Sequence, residues 1–291
     1  MPRPVSLARP AGGLIAAAAV ANALAAGATF FVPDLLTGPV VTNAQARGTS
    51  LIMLAIGIPT LAVATWLAGR GSWRGLVVAI GALAYLAYNA FLLLFATPFN
   101  PLFLVYVAAM SLTAFALATT IVTTDHDAVA EHAGHVPARG IAIYAWVVVV
   151  LNALVWLKTI VPAMLATDPT SFLEGSGVAT NPVFVEDLVF WLPAAALIGG
   201  LLWIRRPIGI VLGGAWLVYG LIEAIGVATD QWFGSVADPG STQASMAAVA
   251  LFVAVAIIGL VPLFFYFRRD YRPGLNTMSQ TAMSSTSSTT P

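Results

Sequence analysis

Eight stretches of about twenty apolar residues constrain this chain more than anything else in it. Their approximate limits are 13–32, 49–68, 75–96, 102–123, 140–166, 183–204, 208–229 and 244–267, and each matches the roughly 30 Å hydrocarbon core of a bilayer. In lipid every backbone N–H and C=O must be satisfied within the protein, so only helices and closed barrels cross. A barrel strand alternates apolar and polar residues, and runs such as "AWVVVVLNALVW" (145–156) do not alternate. The expected fold is therefore all-α: a polytopic membrane helix bundle of eight transmembrane helices. Composition agrees, with 59% hydrophobic and 8% charged residues and a mean hydropathy of +0.92, outside the range of soluble domains.

Arginines orient the bundle. Arg3, Arg9, Arg70, Arg74, Arg139, Arg205, Arg206, Arg268, Arg269 and Arg272 all fall on one side of an eight-span chain, which the positive-inside rule makes cytoplasmic. The opposite loops hold Asp34, Asp168, Glu174, Asp230 and Asp238, with Arg47 as their only cation. Both termini are then expected inside. The first span follows "MPRPVSLARP" without a small-residue cleavage site and reads as a retained helix rather than a signal peptide. The resulting plan is a cytoplasmic segment (1–12), four spans (13–123), a linker (124–139), four more spans (140–267) and a low-complexity tail (268–291) that reads as disordered.

The two sets of spans resemble each other. Aligning Pro59 with Pro193 and running without gaps to Asn89 and Glu223 pairs Leu67 with Leu201, Gly75 with Gly209, Val77 with Val211 and Tyr85 with Tyr219. Each segment reads as a proline-bearing helix, a tight basic turn and a helix with an aromatic and a polar residue near its outer end. Four crossings are an even number, so two such copies would be parallel, a 4+4 internal repeat about an axis along the membrane normal.

The stretches "YNAFLLLFATPFNPLFLVYVAAMSLTAF" (88–115) and "TNPVFVEDLVFWLPAAALIGGLLWIRRPIG" (180–209) carry a likeness: the Asn-Pro before the sixth span, Asp187 and Pro193 within it, and the Arg205-Arg206-Pro207 turn. In these the chain resembles a family of prokaryotic multi-pass integral membrane proteins usually described as hypothetical. The resemblance implies the architecture and a place in a prokaryotic plasma membrane, with no activity attached.

Chemistry must come from polar residues that lipid would reject. At about 1.5 Å per residue, Lys158 lies roughly 12 Å, Glu223 roughly 9 Å and Asp187 roughly 6 Å below the outer ends of their spans. A charge at the centre of a spanning helix costs about 2.5–3.5 kcal/mol and usually finds a partner. Lys158, the chain's only lysine, has Leu151, Leu154, Val155 and Pro162 as its neighbours on its own helix, so a buried ion pair with Glu223, or second with Asp187, is expected. Tyr85, Tyr88 and Asn89 share one face of the third span, and Trp216, Tyr219 and Glu223 one face of the seventh. Together these residues could line an outward-opening pocket for a small-molecule ligand. Glu186 reads as solvated at the outer interface. Prolines 59, 162 and 193 lie inside spans, where they can kink a helix.

The stretch "TTDHDAVAEHAGHVPAR" (123–139) holds His126, His132 and His135. Their spacing matches no strong zinc motif, so a solvated linker is the expectation, with the three histidines as weak metal candidates. Cysteine is absent, and no nucleotide loop, nucleophile elbow, zinc-protease helix or paired haem histidines occur. No cofactor is expected, and balanced charge gives no face for nucleic acid. A membrane-embedded protein whose partner is the lipid bilayer remains. Its pocket favours a transporter or binding protein for a small molecule or ion. The alternatives are a membrane-embedded enzyme acting on a lipid-like substrate, less favoured, and an accessory protein whose buried charges only fix helix pairing and whose protein partner the sequence does not name.

Overall fold

The computed structural model describes residues 5–32, 34–134 and 136–268. Among these there are no strands, and eight helices are long and apolar enough to cross a bilayer. They are α1 (Arg9–Phe31), α2 (Val40–Gly69), α3 (Trp73–Phe95), α4 (Phe103–Thr123), α6 (Ala138–Leu165), α7 (Pro182–Trp203), α8 (Pro207–Ala237) and α9 (Met246–Phe267); the short α5 (His126–Ala133) lies between α4 and α6. This is the build of a multi-pass integral membrane protein. Arg3, Arg269, Arg272, His135 and the tail from 269 lie outside the described residues.

Local chemistry sets the helix starts. Ser72, Asp125, Asn181 and Ser245 each accept a hydrogen bond from the backbone N–H three residues on, satisfying one of the donors that a helix N-terminus leaves free. Pro10, Pro182 and Pro207 sit in first turns, where a missing N–H costs nothing.

Two helices overrun the expected spans at the same end. α2 begins at Val40 and α8 continues to Ala237. The added turns, "VVTNAQARG" and "DQWFGSVA", are too polar for lipid, but they pack on each other through small residues. A methyl group at Gly48 would lie 2.7 Å from the Asp230 Cα, and one at Gly234 would lie 2.9 Å from the Gln45 side chain. The 166–181 loop closes over them, with Thr42 donating to the Ser176 carbonyl (2.9 Å) and Gln243 to the Glu174 carbonyl (3.1 Å). In that loop the Thr170 hydroxyl and amide donate to Asp168 and hold its carboxyl below the ordinary range.

The expected solvated linker is instead partly structure. α5 buries Ala128 and Val129 against Trp73, Leu76, Ile210 and Val211 at the basic end of the bundle. His126 is half-buried; burial disfavours its cationic form and lowers its pKa despite Asp125 and Asp127 nearby.

α3 is the central helix, buried on most of its surface, and α8 packs along it. They approach closely because Gly81 has no side chain: a methyl there would meet the Ala215 carbonyl oxygen at 2.5 Å. Small residues permit this contact in lipid, where no hydrophobic force drives helices together. α1 packs on α4 in the first half, whereas α6 packs on α7 and barely touches α9 in the second.

The basic turns between α2 and α3 and between α7 and α8 have the same build. In one, Ser72 N–H donates to the Leu67 carbonyl and Gly71 N–H to that of Ala68; in the other, Arg206 N–H donates to Leu201 and Arg205 N–H to Leu202. Gly71 takes a φ of 86° and Arg205 a φ of 54°, so Arg205 adopts a left-handed conformation that usually selects glycine. Both preceding helices contain one π-helical turn, Met53–Gly57 and Asp187–Trp191, two residues before Pro59 and Pro193 respectively.

Candidate functional site

The π turn in α7 builds the site. An i→i+5 turn adds a residue to the helix and rotates every later residue about the axis, and the Trp191 indole N–H donates to the Glu186 carboxylate oxygen Oε1 at 3.0 Å across that same spacing of five. Glu186 and Asp187 are 3% and 6% exposed. The Trp156 indole N–H, from α6, donates to Asp187 Oδ2 at 2.8 Å. The Tyr88 hydroxyl faces the Asp187 carboxyl from α3.

Aromatic rings floor this pair of acids. Trp191 stacks on Tyr219 at 4.6 Å and 13°, and Tyr88 meets Trp191 edge-on at 5.6 Å and Tyr219 at 5.9 Å. Beside them, the Asn89 amide donates to Glu223 Oε2 at 2.8 Å and to the Tyr85 carbonyl at 3.0 Å. Asn89 and Glu223 each stand sixteen residues into their helices, roughly 24 Å from the basic end.

Of the residues expected to form a pocket, Asn89, Tyr88, Asp187, Tyr219 and Glu223 come together. Trp216 does not: its ring packs on Tyr144 of α6, 5.7 Å away and nearer the basic end. Tyr85 is fully buried on the flank, its ring wedged between Gly57 and Gly226, and its hydroxyl has no hydrogen-bond partner among the described residues.

Lys158 stands apart from all of these. It is exposed, and it makes no ion pair with Glu223 or Asp187. Helix geometry gives the reason. Trp156 is the α6 residue that turns inward to Asp187, and a side chain two positions later points about 200° round the helix. Lys158 therefore shares the outward face with Leu151, Leu154 and Leu165, where its stem lies along lipid and its amine can reach the interface. Lys158→Met is expected to leave folded yield and melting temperature unchanged, within the roughly 0.5 kcal/mol typical of surface substitutions; a drop comparable to that of a buried-site variant would put the pairing back.

Four site residues escape a reading of the sequence. Glu186 is buried rather than solvated, because the π turn folds Trp191 back over it; its place beside Asp187 is the signal, and the face is what misleads. Trp191 and Trp156, which the sequence does not single out, supply the indole donors. Asp230, on the face of α8 that also carries Glu223, receives a bond from Gln231 at 3.2 Å. Glu186, Asp187, Glu223 and Asp230 have no lysine or arginine against them among the described residues.

Among the described residues, no three His, Cys, Asp or Glu side chains are grouped to hold a metal ion. His126 and His132 lie on different faces of α5, His132 bonding its own helix at the Ala128 carbonyl (2.8 Å). The acids and rings can instead receive hydrogen-bond donors and positive charge. Compared with known proteins, the chain matches no family model, no curated protein and no solved structure.

Proposed function

We propose that this protein is a small-molecule or ion transporter or binding protein of a prokaryotic plasma membrane. In this reading it is built from two parallel four-span copies, and its site is the acidic and aromatic layer where the copies meet. The observation that carries the proposal is the hydrogen bond between Asn89 and Glu223, residues separated by 134 positions. The same separation relates Pro59 to Pro193, one π turn to the other, and Gly71 to Arg205 in the two basic turns.

When two equivalent units pack about a two-fold axis, a residue can touch its own counterpart only near that axis. Asn89 and Glu223 do so, and Gly81 and Ala215, two turns below, do so as well. Each copy also repeats an internal contact: Gly57 lies against Tyr85, and Trp191 stacks on Tyr219. The axis therefore runs beside buried carboxyls. A repeat interface carrying unmatched acids is where a transporter changes shape around its cargo.

Reconstitution tests the reading. In proteoliposomes carrying an entrapped pH indicator, an imposed gradient of the cargo class should drive solute-dependent proton or solute movement, and Glu223→Gln should suppress it by at least tenfold. A panel of small cations, amino acids, sugars and carboxylates that moves no faster than through empty liposomes would reject transport, and equilibrium binding without flux would reduce the proposal to a binding protein.

The arginine-rich end is assigned to the cytoplasm. The chain has no cysteine, so single cysteines report sidedness cleanly. One at Ser171 or Ser235 should react with an impermeant thiol reagent in intact cells, and one at Ser6 should not. The reverse pattern would invert the orientation.

A further inference from the structure

Glu186 is 3% exposed, and while its Oε1 accepts from Trp191, its Oε2 has no hydrogen-bond partner among the described residues. A buried carboxyl oxygen left unmatched is costly whether it is charged or carries a proton. The residues around it offer it little. From α7 comes Asp187; from α8 come Tyr219 and Glu223; from α3 comes Tyr88; and Lys158 of α6 faces away. Both nearby indole donors are already committed, to Glu186 Oε1 and Asp187 Oδ2. A second buried polar group, the Tyr85 hydroxyl, is also unmatched among the described residues and stands within electrostatic reach of Glu223 and Asp230.

We propose that Glu186 is the seat of a cation/proton exchange site for a small organic ammonium ion. This rests on the reading of the acidic and aromatic layer as a ligand site and names the ligand class. The unmatched oxygen is free to accept from a bound donor. A carboxyl that can give up its proton to become a carboxylate pairs with a cation and not with an anion, and the faces of Trp191, Tyr88 and Tyr219 add cation–π attraction. A metal ion is a poorer fit, since no three acidic or imidazole ligands converge among the described residues.

The exchange rests on charge balance. With the site empty, an isolated buried carboxylate is too costly, so Glu186 holds a proton. When an ammonium ion enters, the carboxyl O–H bond breaks, the proton leaves to water, and the carboxylate pairs with the cation. One positive charge replaces one positive charge, and no net charge is added to the membrane interior.

The test uses the purified full chain in detergent and two probes. Benzylammonium can donate a hydrogen bond to Oε2; benzyltrimethylammonium offers charge and a ring only. Titration followed by tryptophan fluorescence, in weakly buffered solution with a pH indicator, should give saturable binding, with one proton released per cation and benzylammonium the tighter ligand. Affinity should rise by up to about tenfold per pH unit while proton and cation compete. Glu186→Gln, which keeps shape, should lose binding by at least tenfold together with the proton release. In the unaltered chain, dicyclohexylcarbodiimide should label Glu186, and either cation should protect it, which needs no variant to fold. Binding that persists in Glu186→Gln, binding without proton release, or labelling that neither cation blocks would each overturn the proposal. Flux of some other solute without cation binding would sink this inference and leave the transport reading standing, whereas cation binding without any flux would do the reverse.

Discussion

Gly81→Ala is expected to destabilise the bundle while Gly220→Ala, on an open face of α8, holds or raises its stability. Both replacements relieve the same backbone entropy, which favours alanine in a helix by roughly 0.5–1 kcal/mol. The surroundings decide the sign. A methyl at Gly220 meets nothing within 4 Å, but at Gly81 it would lie 2.5 Å from the Ala215 carbonyl oxygen and 2.7 Å from the Val218 Cβ. A backbone oxygen cannot rotate aside as a side-chain tip can, so α3 and α8 must separate. Overpacking of this kind costs about 1–3 kcal/mol and more where backbone is forced to move, which exceeds the helix gain. A net loss near 2 kcal/mol corresponds to a drop of roughly 4–8 °C in a protein of this size. Fluorescence-detected size-exclusion after heating would measure it. Equal behaviour of the two variants would mean that α3 and α8 have room between them for a methyl group.

The same contact explains how far the sequence alone can be read. Apolar runs of bilayer length make eight spans legible, and Pro59 and Pro193 supply a register in which the π turns, the basic turns and the Asn89–Glu223 pair all fall at one separation. Composition and periodicity carry that information because lipid leaves the backbone few choices. The π turns themselves are hidden. Nothing in "MLAIG" or "DLVFW" announces an extra residue, yet that residue brings the Trp191 indole back to Glu186. Polar helix extensions escape notice for a related reason: "VVTNAQARG" looks like a loop unless one knows that Asp230 and Gly234 wait for it on α8. Lys158 shows the limit of depth as a guide. Depth places it level with the acids, but the direction of a side chain round the helix decides contact, and Trp156 occupies the inward face.

The linker carries a similar lesson at lower stakes. Its charge and histidines read as solvated, while Ala128 and Val129 at its centre bury against the feet of α3 and α8. A short apolar stripe within one eight-residue helix cannot declare itself by period, and only the partner surface gives it meaning.

Exchanging the residues at positions 89 and 223 is expected to preserve what replacing either one destroys. Asn89→Leu strips Glu223 Oε2 of its only donor among the described residues and should cost roughly 1–3 kcal/mol. Glu223→Leu should cost less, because the Asn89 amide keeps its bond to the Tyr85 carbonyl. In the exchanged protein, Asn89→Glu with Glu223→Asn, the bond between the two helices can re-form in the opposite direction. The transplanted asparagine also finds the same second acceptor: four residues before it stands the Tyr219 carbonyl, in the place that Tyr85 held for Asn89. Two positions that are equivalent about an axis accept such a reversal; two that merely touch do not, because each was shaped for one chemistry. Thermal stability of the exchange should therefore lie within about 1 kcal/mol of the unaltered chain, with a coupling energy of comparable size to the single losses. A double variant as unstable as the sum of Asn89→Glu and Glu223→Asn measured separately would remove the axis from beneath the site, and with it the reason for placing a moving interface there.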